Sequence, residues 1–358
     1  MNMKYLLSAL LFVMLSQSLS ANDGAFFAKG NQLIPINETS ISVKKEILSL
    51  KKVRDKFIEV SVYYEFYNPK DEKEITVGFE AFSPDGDVDG APKNGQHPYM
   101  RNFTVNMNGK NLTHQIAYVA DTLYNNNGKI KSIDLNKFEG SKSGNYVDFF
   151  YVYHFKAKFK KGINIIKHTY SYDLSGSVDF HYDFEYVLTA AKRWQNKQID
   201  DFTLILDMGE FETFNIAKGF FKNASEWTIN GVGKTENQKS HFLNKEVLRF
   251  HIQKGTIAFS KKNFKPADEL FVYAQNVMLN EGYIPFSYFQ EERIKEPKSE
   301  FDKKVFRNLP FARRGYVFKD KQVQQFYQQL DWYMPNPNYL PDLQKLTERE
   351  RKWIAKWK

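Results

Sequence analysis

Apolar and polar residues alternate along most of the chain. Every second residue is apolar in six separate segments: 58–66, 75–81, 147–159, 178–188, 202–208 and 248–252. This period-two pattern is typical of strands with one buried face. Asn108-Gly109 separates two further segments of this kind and favours a hairpin turn. Because no helical pattern interrupts these segments, we predict a mainly β fold in which residues 21–290 form a large antiparallel β-sandwich-type domain.

The pattern changes near residue 290. Residues 291–300 are rich in charge, show no alternation and predict a linker. Beyond them the sequence contains two helix starts, which are Asp320 as an N-cap and Thr347 with Glu350 as a capping box. After the first of these, apolar residues follow a helical spacing: Val323, Phe326, Tyr327 and Leu330. We therefore predict a small α-helical C-terminal module over residues 301–358.

The first twenty residues have the composition of a secretory signal peptide. Lys4 precedes an apolar run over residues 6–15 that is too short to span a bilayer, and small residues favour cleavage before Ala21. After cleavage, no remaining segment is apolar enough for a transmembrane helix. The chain contains no cysteine, which excludes thiol catalysis, thiolate metal sites and a lipoprotein anchor. We expect an exported bacterial protein, periplasmic or extracellular, that needs no cofactor.

Charge is distributed unevenly along the chain. The formal net charge is +9, and residues 293–358 contain 16 Lys and Arg against 8 Asp and Glu. Residues 21–292 contain 34 of each kind and are neutral. The excess at one end indicates an anionic partner for the C-terminal module, and a solubilising surface is the simpler alternative. We expect this partner to be an envelope polymer or an envelope protein, and not a nucleic acid.

An acidic turn copies part of a calcium loop. Asp85, Asp87 and Asp89 occupy its first three ligand positions, but Gln96 stands where the bidentate acid belongs. The simpler interpretation is a flexible turn between strands. Calcium binding is left open here, and no metal is assigned.

A histidine among carboxylates is the second cluster on the β domain. Asp179, His181, Asp183 and Glu185 alternate along one predicted strand, where they form either a general base or half of a metal site. The simpler interpretation is a solvated sheet face. A third motif, GVGKT at residues 231–235, lacks the first glycine of a phosphate loop, and we assign it no function.

The motif FARRG, residues 311–315, stands out near the end of the chain. Residues 305–314 predict a short helix with Pro310 near its start, and Gly315 suits the left-handed position that ends a helix. The two arginines then lie in the last turn, where the helix dipole favours cations. The functional alternative is a site for an anionic or sugar-bearing ligand formed by Arg313, Arg314, Trp332 and Tyr333.

Residues 301–358 resemble the YARHG domain, a short module of bacterial exported proteins. The matching positions are Phe311, Ala312, Arg313, Arg314 and Gly315, then Tyr316-Val317-Phe318, Trp332-Tyr333 and Pro335-Asn336-Pro337. Arg314 stands where the family name has histidine, so no role that needs a titrating imidazole is carried over. The resemblance implies an accessory or binding role, with Phe311, Ala312, Gly315 and Tyr316 as its structural motif.

Residues 22–290 resemble an uncharacterised bacterial exported domain of unknown function. Residues 22–48 and 185–206 carry this second resemblance. Neither family implies an established reaction. Our interpretation is a non-catalytic binding module of the cell envelope or the extracellular space. The alternative is an envelope hydrolase, acting on glycan or peptide, that uses the acidic and histidine side chains of the β domain.

Overall fold

The computed structural model describes residues 25–26, 32–35, 40–120, 130–277, 279–280 and 282–358. The predicted signal peptide, residues 1–20, lies outside the described residues and stays a prediction. Helices that could cross a membrane are absent from the described part of the chain.

The strands of the described residues follow one another with few interruptions. They are β1 (Ala25–Phe26), β2 (Gln32–Pro35), β3 (Ser42–Val53), β4 (Phe57–Asn68), β5 (Lys73–Ala81), β6 (Asp85–Gly86), β7 (Met100–Met107), β8 (Lys110–Asn111), β9 (Gln115–Val119), β10 (Phe150–Phe159), β11 (Gly162–Asp173), β12 (Phe180–Tyr186), β13 (Ile199–Asp207), β14 (Glu212–Ala217), β15 (Trp227–Ser240), β16 (Lys245–Phe264) and β17 (Leu270–Gln275). The segments that alternate in sequence fall on these strands. The helices of this region are short 3-10 turns, such as Thr189–Arg193.

The strands form two main sheets. The large sheet has the order β12-β17-β14-β16-β13-β3-β4-β11-β7-β8, and β15 pairs with β16. The small sheet has the order β2-β5-β10-β9. Neighbouring strands are antiparallel except β3 and β13, which pair in parallel. The sequence prediction of antiparallel sheets therefore missed this one parallel pair, because strands so far apart in sequence give no local sign of their relative direction.

Aromatic rings fill the space between the two sheets. Phe79 of the small sheet lies 4.8 Å from Tyr170 and 5.2 Å from His168 of the large sheet, measured between ring centroids. Phe103 and Tyr153 meet across the same space at 4.9 Å. Strands account for 45% of the structure and helices for 15%, which confirms the predicted mainly β class.

One carboxyl group lies inside this apolar core. Glu46 on β3 is 1% exposed. Burial raises the pKa of Glu46 to about 8, and the hydroxyl groups of Tyr64 and Tyr186 oppose that rise in part. Loss of hydration makes the charged form of a buried acid unfavourable, so Glu46 is protonated below that pH.

Three helices follow the β body, which we define as residues 40–277: α1 (Glu300–Ala312), α2 (Lys321–Gln328) and α3 (Glu348–Lys356). Asp320 caps α2, and Thr347 and Glu350 form the capping box of α3, as predicted. The prediction for α1 was wrong in two respects. It begins at Glu300, five residues before the predicted start, with Ser299 and Asp302 as its capping box, and Pro310 lies in its last turn.

Proline inside a helix leaves a carbonyl without its usual N–H donor. In α1 this carbonyl belongs to Phe306, four residues before Pro310. The indole Nε1 of Trp353 on α3 donates to it at 2.6 Å. Helix α3 thus supplies the hydrogen-bond donor that the carbonyl of Phe306 lacks because of Pro310.

The helical module shares its core with the β body. Phe211, in the turn between β13 and β14, belongs to the same buried cluster as Phe286, Val305 and Tyr327. The indole Nε1 of Trp332 donates to the carbonyl of Ile284 at 2.7 Å. The predicted domain boundaries at residues 290 and 300 stay predictions. Residues 288–293 form a 3-10 turn that packs on the module.

Candidate functional site

Gly315 ends α1 in the left-handed conformation, with φ of 82°. Its amide donates to the carbonyl of Ala312 at 2.8 Å, and the amide of Tyr316 donates to that of Phe311 at 3.0 Å. These two bonds are the pattern that closes a helix at a C′ glycine. A Cβ at this position would lie 2.2 Å from the carbonyl oxygen of Met334. Both the backbone conformation and the close chain approach require glycine here.

Arg313 is buried and ion-paired. It is 1% exposed, and its Nη1 lies 2.7 Å from Oε1 of Glu291. Its Nη2 donates to the carbonyl of Pro285 at 3.2 Å, and its guanidinium lies 4.5 Å from the ring of Tyr288. Glu291 also pairs with Arg349 at 2.7 Å. Arg313 therefore fixes the chain entering the module against α1.

Arg314 forms a forked ion pair with Glu350 of α3. The two nitrogen–oxygen distances are 2.6 and 3.1 Å. Burial alone would raise the pKa of Glu350, but hydrogen bonds from Arg314 and its other partners hold that pKa below its ordinary value. The other face of the guanidinium lies 4.9 Å from the ring of Phe211. Arg314 thus joins α1, α3 and the β body.

Trp332 and Tyr333 are also internal. They are 1% and 6% exposed, and the hydroxyl of Tyr333 donates to the carbonyl of Tyr316 at 2.6 Å. Ala312 is fully buried, whereas Phe311 and Tyr316 are half-buried. Of the four residues predicted to bind a ligand, Arg314 lines the pocket described next. Ligand binding by Arg313, Trp332 and Tyr333 stays a prediction. Both Nη atoms of Arg313, Nε1 of Trp332 and the hydroxyl of Tyr333 donate hydrogen bonds inside the protein.

A pocket of about 570 Å³ lies where the module meets the β body. Sites for small molecules commonly measure about 300–1,000 Å³. Three cations and two aromatic rings line it, together with one carboxylate: Lys234, Lys254, Arg314, Phe211, Tyr339 and Glu210. Lys254 is exposed and has no ion pair within the described residues. We name this cavity the interface pocket.

The backbone of the interface pocket is irregular on the side of the β body. Phe211 has a φ of 53°, a rare value for a residue with a side chain. The register of β15 and β16 shifts between Val232 and Gly233, which marks a β-bulge. The amide of Phe211 donates at 3.1 Å to the carbonyl of Gln253 beside that bulge. Bulges and strained residues of this kind cluster at functional sites.

Sequence reasoning missed most of the interface pocket. Lys234 belongs to the GVGKT segment, to which we assigned no function, and it lies on a strand rather than in a phosphate loop. Phe211, Lys254 and Tyr339 come from three other parts of the chain, so no spacing connects them. The positive charge of the C-terminal segment was the one available signal, and it pointed to Arg314.

The predicted His181 cluster lies on β12, at an edge of the large sheet. The interpretation as a solvated face holds for only part of the cluster: His181 and Glu185 are half-buried, and Asp183 is 4% exposed. The imidazole of His181 stacks on Phe289 with 4.0 Å between ring centroids. Burial lowers the pKa of His181, which keeps it neutral. Asp179 is exposed and lies before the strand. A general base accepts a proton at a ring nitrogen, and Nε2 of His181 is buried without a hydrogen-bond partner.

Asp89 holds a loop in place. Its carboxylate accepts from the amides of Ala91 at 3.0 Å and Gly144 at 2.9 Å, and these bonds lower its pKa. Asp87 is exposed, and the side chain of Asp85 lies outside the described residues. Calcium binding at this turn stays a prediction.

Fold and site together define a mainly β protein whose two-sheet body carries a helical module, with a pocket between them. The C-terminal part is a YARHG domain, whose family model matches residues 287–358. The match begins before the predicted linker and includes Glu291. YARHG is a domain typical of exported proteins.

The solved structures include one that matches nearly the whole chain. A candidate nutrient binding protein (lpg2210) of Legionella pneumophila covers 94% of this chain and 100% of its own, with 19% identity and a TM-score of 0.50. This likeness shows the fold alone. An M1 zinc metallopeptidase mutant of Deinococcus radiodurans covers 67% of this chain and 43% of its own, with 8% identity and a TM-score of 0.28, which carries no argument. Curated proteins gave no match.

Proposed function

We propose that this protein is an exported binding protein that holds an anionic ligand in the interface pocket. The observation that carries the proposal is the meeting of Lys234, Lys254 and Arg314 with two aromatic rings in one cavity. Lysine and arginine bind carboxylate or phosphate groups, and aromatic rings pack against the apolar or sugar part of such ligands.

The cations of the interface pocket differ in their availability. Arg314 is forked to Glu350, and Lys234 lies 3.9 Å from Glu236. Lys254 is exposed and is the least engaged of the three. We expect Lys254 to make the principal charge contact and Lys234 the second. Glu210, on the same rim, disfavours dianions that approach from its side.

Two sources supply ligands of this chemistry. One is a small anionic nutrient, and the other is the charged end of an envelope polymer. The candidate nutrient binding protein with a similar fold supports a binding role of the first kind. The cavity volume also fits a small molecule better than a long polymer, which would need an open groove.

The hydrolase alternative receives no support from the described residues of its proposed site. Asp183 is buried, and Nε2 of His181 is buried as well. A binding role requires no reacting group, and the interface pocket supplies charge and apolar surface.

Calorimetric titration of the full chain tests the proposal. The probes are inorganic phosphate, a sugar phosphate, a short uronic acid oligosaccharide and heparin. We expect Lys254→Gln and Lys234→Gln each to weaken binding of the best probe by about tenfold, the worth of one charge-assisted hydrogen bond. Lys321→Gln is the matched control, because Lys321 is exposed on α2 and its substitution removes the same charge outside the pocket.

The outcomes separate the sources and the alternatives. Saturable binding of a small probe indicates a nutrient-like ligand, and binding of heparin alone indicates a polymer. Equal losses in Lys254→Gln and Lys321→Gln would show a general charge effect and refute the pocket as the site.

A further inference from the structure

The contact between the β body and the module also contains a histidine and two carboxylates. His251 lies on β16, Glu236 on the neighbouring strand β15, and Asp331 in the segment after α2. One donor atom of each residue lies within 4.8 Å of the other two. One hairpin of the β body and the segment after α2 thus bring metal-binding groups to one point.

The imidazole of His251 is oriented as a metal ligand would be. Its Nδ1 lies 3.0 Å from the hydroxyl of Thr213. If the ring donates through this nitrogen, Nε2 carries the free lone pair, which is the arrangement of metal-binding histidines. The residue is 1% exposed, and Nε2 has no hydrogen-bond partner. A buried polar atom without a partner is costly, so this atom requires an explanation.

The distances fit an ion better than a direct hydrogen bond. Nε2 of His251 lies 3.9 Å from Oε2 of Glu236, beyond hydrogen-bond range. Two ligands of a tetrahedral zinc ion, each at about 2.0–2.1 Å, are about 3.4 Å apart. All three donor atoms lie within 4.8 Å of one another, so side-chain movements of about 1 Å bring them to that spacing. Glu236 and Asp331 are about one third exposed, so an ion can reach them from solvent.

Charged and polar side chains surround the three proposed ligands. Arg249 lies 3.6 Å from Asp331, and Lys234 lies 3.9 Å from Glu236. The hydroxyl of Tyr283 donates to Asp331 at 3.4 Å, and the amide of Gln238 donates to Glu236 at 3.3 Å. The two cations weaken the attraction for a divalent ion. The two hydrogen bonds hold the carboxylates in place, as the outer partners of metal ligands do.

We propose that Glu236, His251 and Asp331 bind one divalent transition metal ion, of the zinc class, that joins the β body to the YARHG module. One imidazole nitrogen with carboxylate oxygens suits zinc, whereas calcium and magnesium prefer oxygen alone. Three protein ligands leave the fourth position of a tetrahedral ion to solvent. The inference is independent of the anionic ligand proposed for the interface pocket.

Zinc titration of the metal-free full chain, in competition with a chromophoric chelator, tests the site. We expect one zinc ion per chain and a higher melting temperature with zinc, because an ion bound to the folded state stabilises it. Glu236→Gln and Asp331→Asn should each weaken zinc binding by about tenfold or more. These two variants carry the test, since buried His251→Gln risks misfolding. Exposed His241→Gln, on the turn of the same hairpin, is the control.

A second measurement identifies the donors. Cobalt in place of zinc should give the visible absorption of a four- or five-coordinate ion, and Asp331→Asn should weaken it. Zinc binding that Glu236→Gln and Asp331→Asn leave unchanged, or that only His241→Gln removes, would overturn the proposal. So would a site that prefers calcium to zinc.

Discussion

Replacing Gly315 with alanine tests the close approach of two chain segments in the YARHG domain. At a φ of 82° a side chain costs about 1–2 kcal/mol, because Cβ crowds the following carbonyl. Here Cβ would also lie 2.2 Å from the carbonyl oxygen of Met334 and 3.0 Å from the amide nitrogen of Asn336. Backbone atoms must move to relieve this contact, which adds about 1–3 kcal/mol. We expect Gly315→Ala to lower the free energy of unfolding by about 2–5 kcal/mol.

Gly282 provides a matched control. Its φ of 77° is nearly the same, but a Cβ there meets no atom within 4 Å. Gly282→Ala should therefore show the conformational cost alone, about 1–2 kcal/mol. Urea unfolding followed by tryptophan fluorescence is suitable, because Trp332, Trp353 and Trp357 belong to the module. Equal losses in the two variants would refute the argument from the Met334 contact.

Three further predictions concern buried charge and salt. Glu46 has a folded-state pKa of about 8 against an ordinary 4.5, so its contribution to stability is complete below pH 4.5 and is lost as the pH rises to 8. In urea unfolding, the free energy of unfolding of Glu46→Gln relative to wild type should be roughly 3–4 kcal/mol higher at pH 8 than at pH 4. Parallel pH profiles of the two proteins would contradict this. Arg313→Ala should lower the free energy of unfolding by about 3–5 kcal/mol, because it breaks a buried ion pair. Lys352→Ala breaks an exposed ion pair and should cost about 0.5 kcal/mol or less. Similar melting temperatures of the two variants would contradict this. Retention of the full chain on heparin should fall steeply with salt, and retention that ignores salt would show that the charge of residues 293–358 serves another purpose.

Local rules recovered a large part of the fold from the sequence. Alternation located the strands because each strand buries every second side chain. The caps Asp320 and Thr347 and the stop at Gly315 were found because a helix end is determined by a few neighbouring residues. The start of α1 was wrong because Pro310 suggested a first turn, and the indole of Trp353 that makes a late proline tolerable lies more than forty residues away.

Contacts between distant segments were beyond such reasoning. Glu291 lies in the segment that we predicted to be a linker, yet it forms the buried ion pair with Arg313. The interface pocket and the group around His251 each draw on segments separated by tens of residues. Nothing in the spacing of Lys234, Lys254 and Tyr339 relates them before the chain is folded. The uneven distribution of charge was the sequence feature that pointed to part of the interface pocket, because net charge does not depend on the path of the chain.

The core shared between Phe211 and the YARHG domain affects the order in which the chain folds. Because residues 287–358 follow the β body along the chain, they are synthesised after the β13–β14 turn that they cover. Until then Phe211, which is 4% exposed in the complete structure, lacks its cluster partners from the module, such as Val305 and Tyr327. The unfinished protein therefore exposes an apolar side chain that its YARHG domain later covers. A chain truncated before residue 287 would keep this apolar surface exposed. We expect chaperones and proteases to recognise such a chain as incompletely folded.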